Sequence, residues 1–255
     1  GEFTLLYQAK AALRGRHIVG AEALMRWRHP THGHISPEQF IQVAEETGSI
    51  DDLTRWAIGQ AIEDQAALLA DGVDQVISIN VSGRSLADKD FCGFAIDAVR
   101  RAGARVCFEI TETAIIGDPL AAMSSIAAFR AAGIRVSVDD YGSGLSSLAY
   151  LKQIEADELK LDKSLIGDLT TNVRDRLILK STIDLAHGLG MSVVAEGVED
   201  ETTLAALSAL GCDTVQGYMI ARPGALADFA RLCRSGGRDA AQIFSHRPRV
   251  ISGVG

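Results

Sequence analysis

Residues 134–144 read IRVSVDDYGSG: an alternating apolar run from Ile134 to Val138 that closes on two adjacent aspartates and a glycine-rich turn. Alternation of this kind predicts a half-buried strand. Asp139 and Asp140 at its end repel one another, so the pair needs a positive partner. Similar short β-like runs recur along the chain: Leu5–Tyr7, His17–Leu24, Val76–Asn80, Arg105–Thr111, Glu158–Asp162, Ser192–Glu196 and Thr214–Gln216. Together they make about eight strands, the number in a (β/α)8 barrel. The link between the first two is about ten residues, too short for a parallel helical crossover. The expected fold is therefore α/β, a TIM-like (β/α)8 barrel whose first strand runs antiparallel.

The segments between the runs carry helix signals. Ser36-Pro37-Glu38-Gln39 combines an N-cap serine, a first-turn proline and a capping-box glutamine, and predicts a helix presenting Phe40, Val43 and Ala44 to the core before Gly48. A second helix starts at Asp51, with Leu53, Trp56, Ala57, Ala61 and Leu68 on one stripe, and ends at Asp71-Gly72. Asp118-Pro119 opens a helix that stops at Gly133, Leu177–Leu189 stops at Gly190, and Thr202–Leu210 stops at Gly211. Glycine closing helix after helix ahead of a β run is the rhythm of α/β repeats. Residues 1–234 are expected to form one domain and residues 235–255, rich in Gly, Arg and Ser, a loosely structured tail.

The bulk numbers exclude several classes of function. The chain has 255 residues, 47% of them apolar and 23% charged, with a formal charge of −8. No apolar run approaches the roughly 18 residues of a membrane span, so no membrane contact is expected of this segment. A net negative protein lacks the basic face that duplex nucleic acid requires. The cysteines at 92, 107, 212 and 233 lie far apart without a C-x-x-C pair, which suggests neither a zinc knuckle nor a disulfide framework. A cytoplasmic location is the expectation.

In a barrel, chemistry sits where strands end. Here the ends supply Glu22, Asn80, Glu109, Asp139 with Asp140, Lys160, Glu196 and Gln216. Gathered on one rim, the five acids would repel strongly: each like-charge pair at about 4 Å costs on the order of 4 kcal/mol at an effective dielectric near 20. Two divalent cations plus Lys160 would balance them. Ligands that are all oxygen favour Mg²⁺ or Mn²⁺ over Zn²⁺. Successive strand residues point to opposite faces, so Asp140 must already leave the strand, a bend that Gly142 and Gly144 would permit.

At these residues the chain closely resembles the EAL-type cyclic di-GMP phosphodiesterases. The triplet Glu22-Ala23-Leu24 stands within AEALMRWRHP. INVS (79–82), FEITET (108–113), DDYGSGLSSL (139–148), ELKLDKS (158–164), VVAEGVE (193–199) and VQGY (215–218) follow in order. The resemblance implies a metal shell of Glu22, Asn80, Glu109, Asp139, Asp140 and Glu196, with Asp139 bridging two ions. It implies that Lys160 contacts the attacking water, that Glu196 also serves as general base, and that Glu112 steadies the loop after Asp139. Gln8, Leu24, Arg26, Asp162, Glu199 and Gln216 occupy positions lining the substrate groove. The implied reaction is hydrolysis of cyclic di-GMP to linear 5′-pGpG by water activated between two divalent cations, in a homodimer. Departures stand beside these matches: Ala9 for the usual proline, Tyr141 for phenylalanine, Ser143 for threonine and Leu145 for tyrosine. None removes a ligand, but they leave room for a catalytically weak or inactive receptor of cyclic di-GMP that signals through protein partners. An unrelated Mg²⁺-dependent barrel enzyme is a third reading, with no reason to reproduce the loop and QGY segments.

Plainer readings compete at some positions. The His29, His32, His34 segment is read as a surface loop rather than a zinc site. The 142–147 glycine segment is read as a hinge with a Ser147 helix cap, and Trp27 and Trp56 as packing residues. Lys160 itself has the alternative of a structural ion-pair partner. The arginines at 231, 234, 238, 247 and 249 are read as a solvated end.

Overall fold

A computed structural model of the chain describes residues 1–144, 151–167, 169 and 171–235. Leu145, Ser147 and the tail beyond residue 235 lie outside the described residues. The strands are β1 (Phe3–Ala12), β2 (His17–His29), β3 (Gly33–Ile35), β4 (Val76–Asn80), β5 (Val106–Thr111), β6 (Arg135–Tyr141), β7 (Glu158–Leu161), β8 (Ser192–Ala195) and β9 (Thr214–Gln216). The helices are α1 (Pro37–Thr47), α2 (Ile50–Ala70), α3 (Gly83–Ala87), α4 (Lys89–Ala102), α5 (Glu112–Gly117), α6 (Pro119–Ala131), α7 (Val173–Gly188), α8 (Glu201–Leu210) and α9 (Leu226–Arg234). Strand order is β1-β9-β8-β7-β6-β5-β4-β2, and β1 pairs back onto β2 to close an eight-stranded barrel, with β3 appended to β2. As the short first link required, β1 runs antiparallel, and it does so to both neighbours, β2 and β9.

Side-chain parity explains the barrel's character. On one parity, Ile77, Ile79, Val106, Phe108, Ile110, Val136, Val138, Leu159, Leu161, Val193 and Ala195 join the apolar core beneath the helices, where Phe108 meets Phe129 of α6 edge-on at 4.9 Å. On the other stand Lys10, Glu22, Ser78, Glu109, Ser137, Asp139, Glu158, Lys160 and Gln216, all buried. The usual barrel lumen is filled by branched apolar residues. This one is filled by charges and amides bonded to one another.

The helix boundaries follow the caps. Ser36 Oγ accepts from the Gln39 amide at 3.3 Å, and Gly48 closes α1 in the left-handed region. Asp118 caps α6 ahead of Pro119. One expected core residue is corrected: Phe40 and Ala44 are buried, but Val43 is 57% exposed, because it lies off the stripe that meets the barrel. The histidine segment is a surface hairpin turn into β3, and His29 Nδ1 accepts from the amides of Thr31 and His32. Trp27 stacks on Phe3 at 5.3 Å, and Trp56 lies 5.9 Å from the same ring. No helix among the described residues is long and apolar enough to cross a membrane.

Candidate active site

The bend demanded by the paired aspartates lies at Asp140 itself. Strand β6 runs on to Tyr141, and on the β7 side Val138 faces Leu159 while Tyr141 faces Leu161. Asp139 and Asp140 together therefore oppose the single residue Lys160, which makes a β-bulge. Asp140 sits at φ 55°, a conformation that aspartate tolerates better than most residues, and Gly142 follows at φ 96°. The Asp140 amide donates to Asp139 Oδ1 at 2.8 Å. Both carboxylates are thus held at one barrel mouth.

Lys160, 1% exposed, occupies the middle of the cluster. Its Nζ lies 2.6 Å from Glu196 Oε1, 2.8 Å from Glu109 Oε2, 3.0 Å from Asp139 Oδ2 and 3.5 Å from Glu22 Oε2. Glu22 is braced from two further strands: Asn80 donates to its Oε1 at 2.8 Å and Gln216 to its Oε2 at 2.6 Å. Glu112, the first residue of α5, takes a long 3.5 Å contact from the Gly142 amide and so ties α5 to the turn after the bulge.

Charge balance sets the protonation of the group. Burial would lower the Lys160 pKa, but the surrounding carboxylates outweigh it and hold the ammonium well above its ordinary range. Burial would likewise raise Glu109; Lys10 and Lys160, one on each oxygen, instead bring it down to about 2. For Glu22, Asp139 and Asp140 burial wins and the carboxyls are raised. Burial pushes Glu196 up to about 7 despite its contact with Lys160. The rim holds more carboxylate than its lysines neutralise, and a cluster in that position takes up protons or binds cations.

The donor chemistry fits hard divalent ions. Glu22, Glu109 and Asp139 can each offer an oxygen within 4.8 Å of one another, and so can Asp139, Asp140 and Glu196. Asp139 belongs to both sets. Every donor is oxygen, as Mg²⁺ or Mn²⁺ prefers. Gln216 Oε1 is buried without a partner among the described residues and is a further free acceptor nearby.

Above the cluster opens a groove of about 540 Å³. Gln8, Leu24, Glu199 and Gln216 line it together with Glu22, Asp139, Asp140, Lys160 and Glu196. Glu109 lies buried behind the first row and reaches it through Lys160, while Asn80 is exposed, lines a neighbouring pocket instead of the groove, and meets the cluster through Glu22. Arg26 and Asp162 do not line the groove, and their side chains are engaged locally: Arg26 Nη1 donates to the Met25 carbonyl at 2.9 Å, and Asp162 accepts from the Ser164 amide at 2.9 Å. Glu38, Lys163 and Tyr218 also line the groove, although no strand-end rule marks them. Gly217 has to be glycine, since a Cβ there would lie 2.2 Å from the Val198 carbonyl oxygen.

Comparison with known proteins agrees with this geometry. The EAL domain family model matches residues 1–223. The cyclic di-GMP phosphodiesterase NbdA of Pseudomonas aeruginosa is 36% identical over 244 residues, which is 94% of this chain and 31% of that protein. The structure of the phosphodiesterase PaMucR in complex with c-di-GMP superposes with a TM-score of 0.82 at 35% identity, covering 89% of this chain and 94% of that one. The EAL enzyme Bd1971, with cAMP and cyclic di-GMP bound, gives 0.84 at 32% identity over 91% of this chain and 65% of that one. The chain spans about a third of the length of most of the curated relatives it matches. With its sequence motifs, its barrel and its acidic rim in agreement, this chain belongs to the EAL domain family.

Proposed function

We propose that residues 1–234 form a phosphodiesterase unit that opens one phosphodiester of cyclic di-GMP to give linear 5′-pGpG. The observation that carries this reading is the pair of carboxylate sets sharing Asp139 beside Lys160 at the floor of an open groove. Glu22, Asn80, Glu109, Asp139, Asp140 and Glu196 would hold two Mg²⁺ or Mn²⁺ ions. Such ions, when bound, supply positive charge to an attacking water and to the departing 3′ oxygen.

The chain's own residues do the rest. Glu196, protonating near neutral pH because it is buried, is suited to take a proton from the water near neutral pH. Lys160 keeps the carboxylates gathered and directs its ammonium at the point of attack. Glu112 steadies the turn that carries Asp140. Gln8, Leu24, Arg26, Asp162, Glu199 and Gln216 would seat the dinucleotide, with Lys163 adding a groove-lining positive charge for a phosphate. Four unpaired cysteines suit a cytoplasmic place of work.

The direct test is incubation of the purified chain with cyclic di-GMP and Mg²⁺ or Mn²⁺, with products separated by chromatography. Metal-dependent pGpG is expected. Tight binding without product would replace this reading with that of a receptor.

The proposal includes a homodimer. Val173, Leu177 and Ile178 of α7 lie on adjacent turns and are 65%, 62% and 54% exposed, an apolar stripe suited to a second copy. Light scattering after size exclusion should give twice the chain mass, and Leu177→Asp should shift it toward the monomer. A wild-type chain that stays monomeric at high micromolar concentration would rule out the dimer.

A further inference from the structure

The functional reading above uses one buried lysine, but the barrel holds two. Lys10 stands near the C-terminal end of β1, 4% exposed. Its Nζ lies 2.6 Å from Glu109 Oε1, 3.0 Å from Glu158 Oε1 and 3.0 Å from Ser78 Oγ. An ammonium has three N–H donors, and these three acceptors use them all. The partners come from β5, β7 and β4, so Lys10 on β1 fastens strands from around the barrel beneath the acidic rim. Glu109 is consequently gripped on both oxygens: Oε1 by Lys10 from below, Oε2 by Lys160 at 2.8 Å from the mouth side.

We infer that Lys10 is a positioning residue for the candidate cation site, clamping Oε1 of Glu109 so that only Oε2 is presented to the mouth. The inference rests on the reading of the rim as a divalent-cation site. Two effects of Lys10 on a cation oppose each other. Its charge repels the ion, but Glu158 neutralises that charge at 3.0 Å. Its grip on Oε1, with that of Lys160 on Oε2, fixes the plane of Glu109. Orientation by an outer partner of this kind typically accounts for 10–100-fold in metal affinity, more than the residual repulsion from a neutralised pair. The net effect of Lys10 is therefore to strengthen cation binding.

The test is Mn²⁺ titration of the full chain without substrate, followed by electron paramagnetic resonance of free and bound ion. Lys10→Met should fold, by circular dichroism, yet bind Mn²⁺ about 10–100-fold more weakly, and its turnover should recover as Mn²⁺ is raised. A lysine that only holds the barrel together would lower thermal stability without a loss that metal restores. A folded Lys10→Met with wild-type Mn²⁺ affinity overturns the inference. Should that variant fail to fold, Glu158→Gln removes the lower anchor of Lys10 while leaving the ammonium on Glu109. A weaker affinity is expected there, smaller than the loss in Lys10→Met, and unchanged affinity overturns the inference equally. A wild-type chain that binds no Mn²⁺ at millimolar concentration refutes instead the reading of the rim as a cation site, on which the role of Lys10 depends.

Discussion

Glu196→Gln should lower kcat on cyclic di-GMP by about 10²–10⁴-fold, the range that removal of a general base commonly costs. The substitution keeps the shape of the side chain and removes its charge. Lys160 retains Glu22, Glu109 and Asp139 as partners, so the mouth keeps its arrangement and the metal-free variant should be no less stable than the wild type near neutral pH. Glu22→Ala should suppress turnover by a different route. It removes an oxygen donor and releases Asn80 and Gln216, both of which donate to Glu22. Raising Mn²⁺ should therefore restore part of the Glu22→Ala activity and little of the Glu196→Gln activity. Product formation at wild-type rates in either variant, measured by chromatography of pGpG, would remove these residues from the site.

Stripped of divalent ions by a chelator, the protein should lose stability as pH rises from about 5 to 7.5. The sign follows from linkage. Glu196 titrates at about 7 in the folded chain against 4.5 as its ordinary value, so between those values the native state holds the proton that the unfolded chain has lost. Stability from this group is complete below pH 4.5 and falls until about pH 7, by up to about 3 kcal/mol at 1.36 kcal/mol per pKa unit. Glu22, Asp139 and Asp140, also raised by burial, act in the same direction. Glu109 acts oppositely and on the acid side, because its contribution is lost as pH falls from 4.5 toward 2. For a domain of this size the loss corresponds to roughly 5–10 °C in Tm. Mn²⁺ should reverse it, adding about 2.7 kcal/mol at a hundredfold excess over its Kd, and the gain should grow with pH. A Tm that is flat from pH 5 to 7.5 and indifferent to Mn²⁺ would contradict the charge balance assigned to the rim.

Much of the architecture was legible because local signals agree. The run Val76–Asn80 is a strand with those ends, since its alternation is bounded by turn residues on both sides. The helices close where glycine follows the last apolar position, as at Gly48 and Gly211. The ten-residue first link forbade a parallel pairing, and the antiparallel β1–β2 pair followed. Val43 shows the limit of such reasoning. It fits the helical period, but α1 covers only a narrow strip of the barrel wall and leaves that position in solvent.

The site divides the same way. Glu22, Asn80, Glu109 and Glu196 announce themselves as polar groups at the ends of apolar runs. Lys10 gives no such signal, because it lies beyond the Leu5–Tyr7 run, toward the end of a strand that runs antiparallel to its neighbours, and its partners lie 68, 99 and 148 residues away. For Asp140, the sequence demanded a bend and pointed to Gly142 and Gly144; the strand instead bulges at the aspartate itself, since two residues of β6 must be accommodated opposite Lys160. By itself, then, the sequence determined the parity of each strand, and with it which side chains are polar and inward. Which of those side chains share a cation, and which ammonium holds which oxygen, was decided only in the tertiary structure. Barrel closure sets the relative heights of strands that are remote in the chain, and a shift of one residue between them moves a carboxylate several ångströms, more than a shared ligand allows.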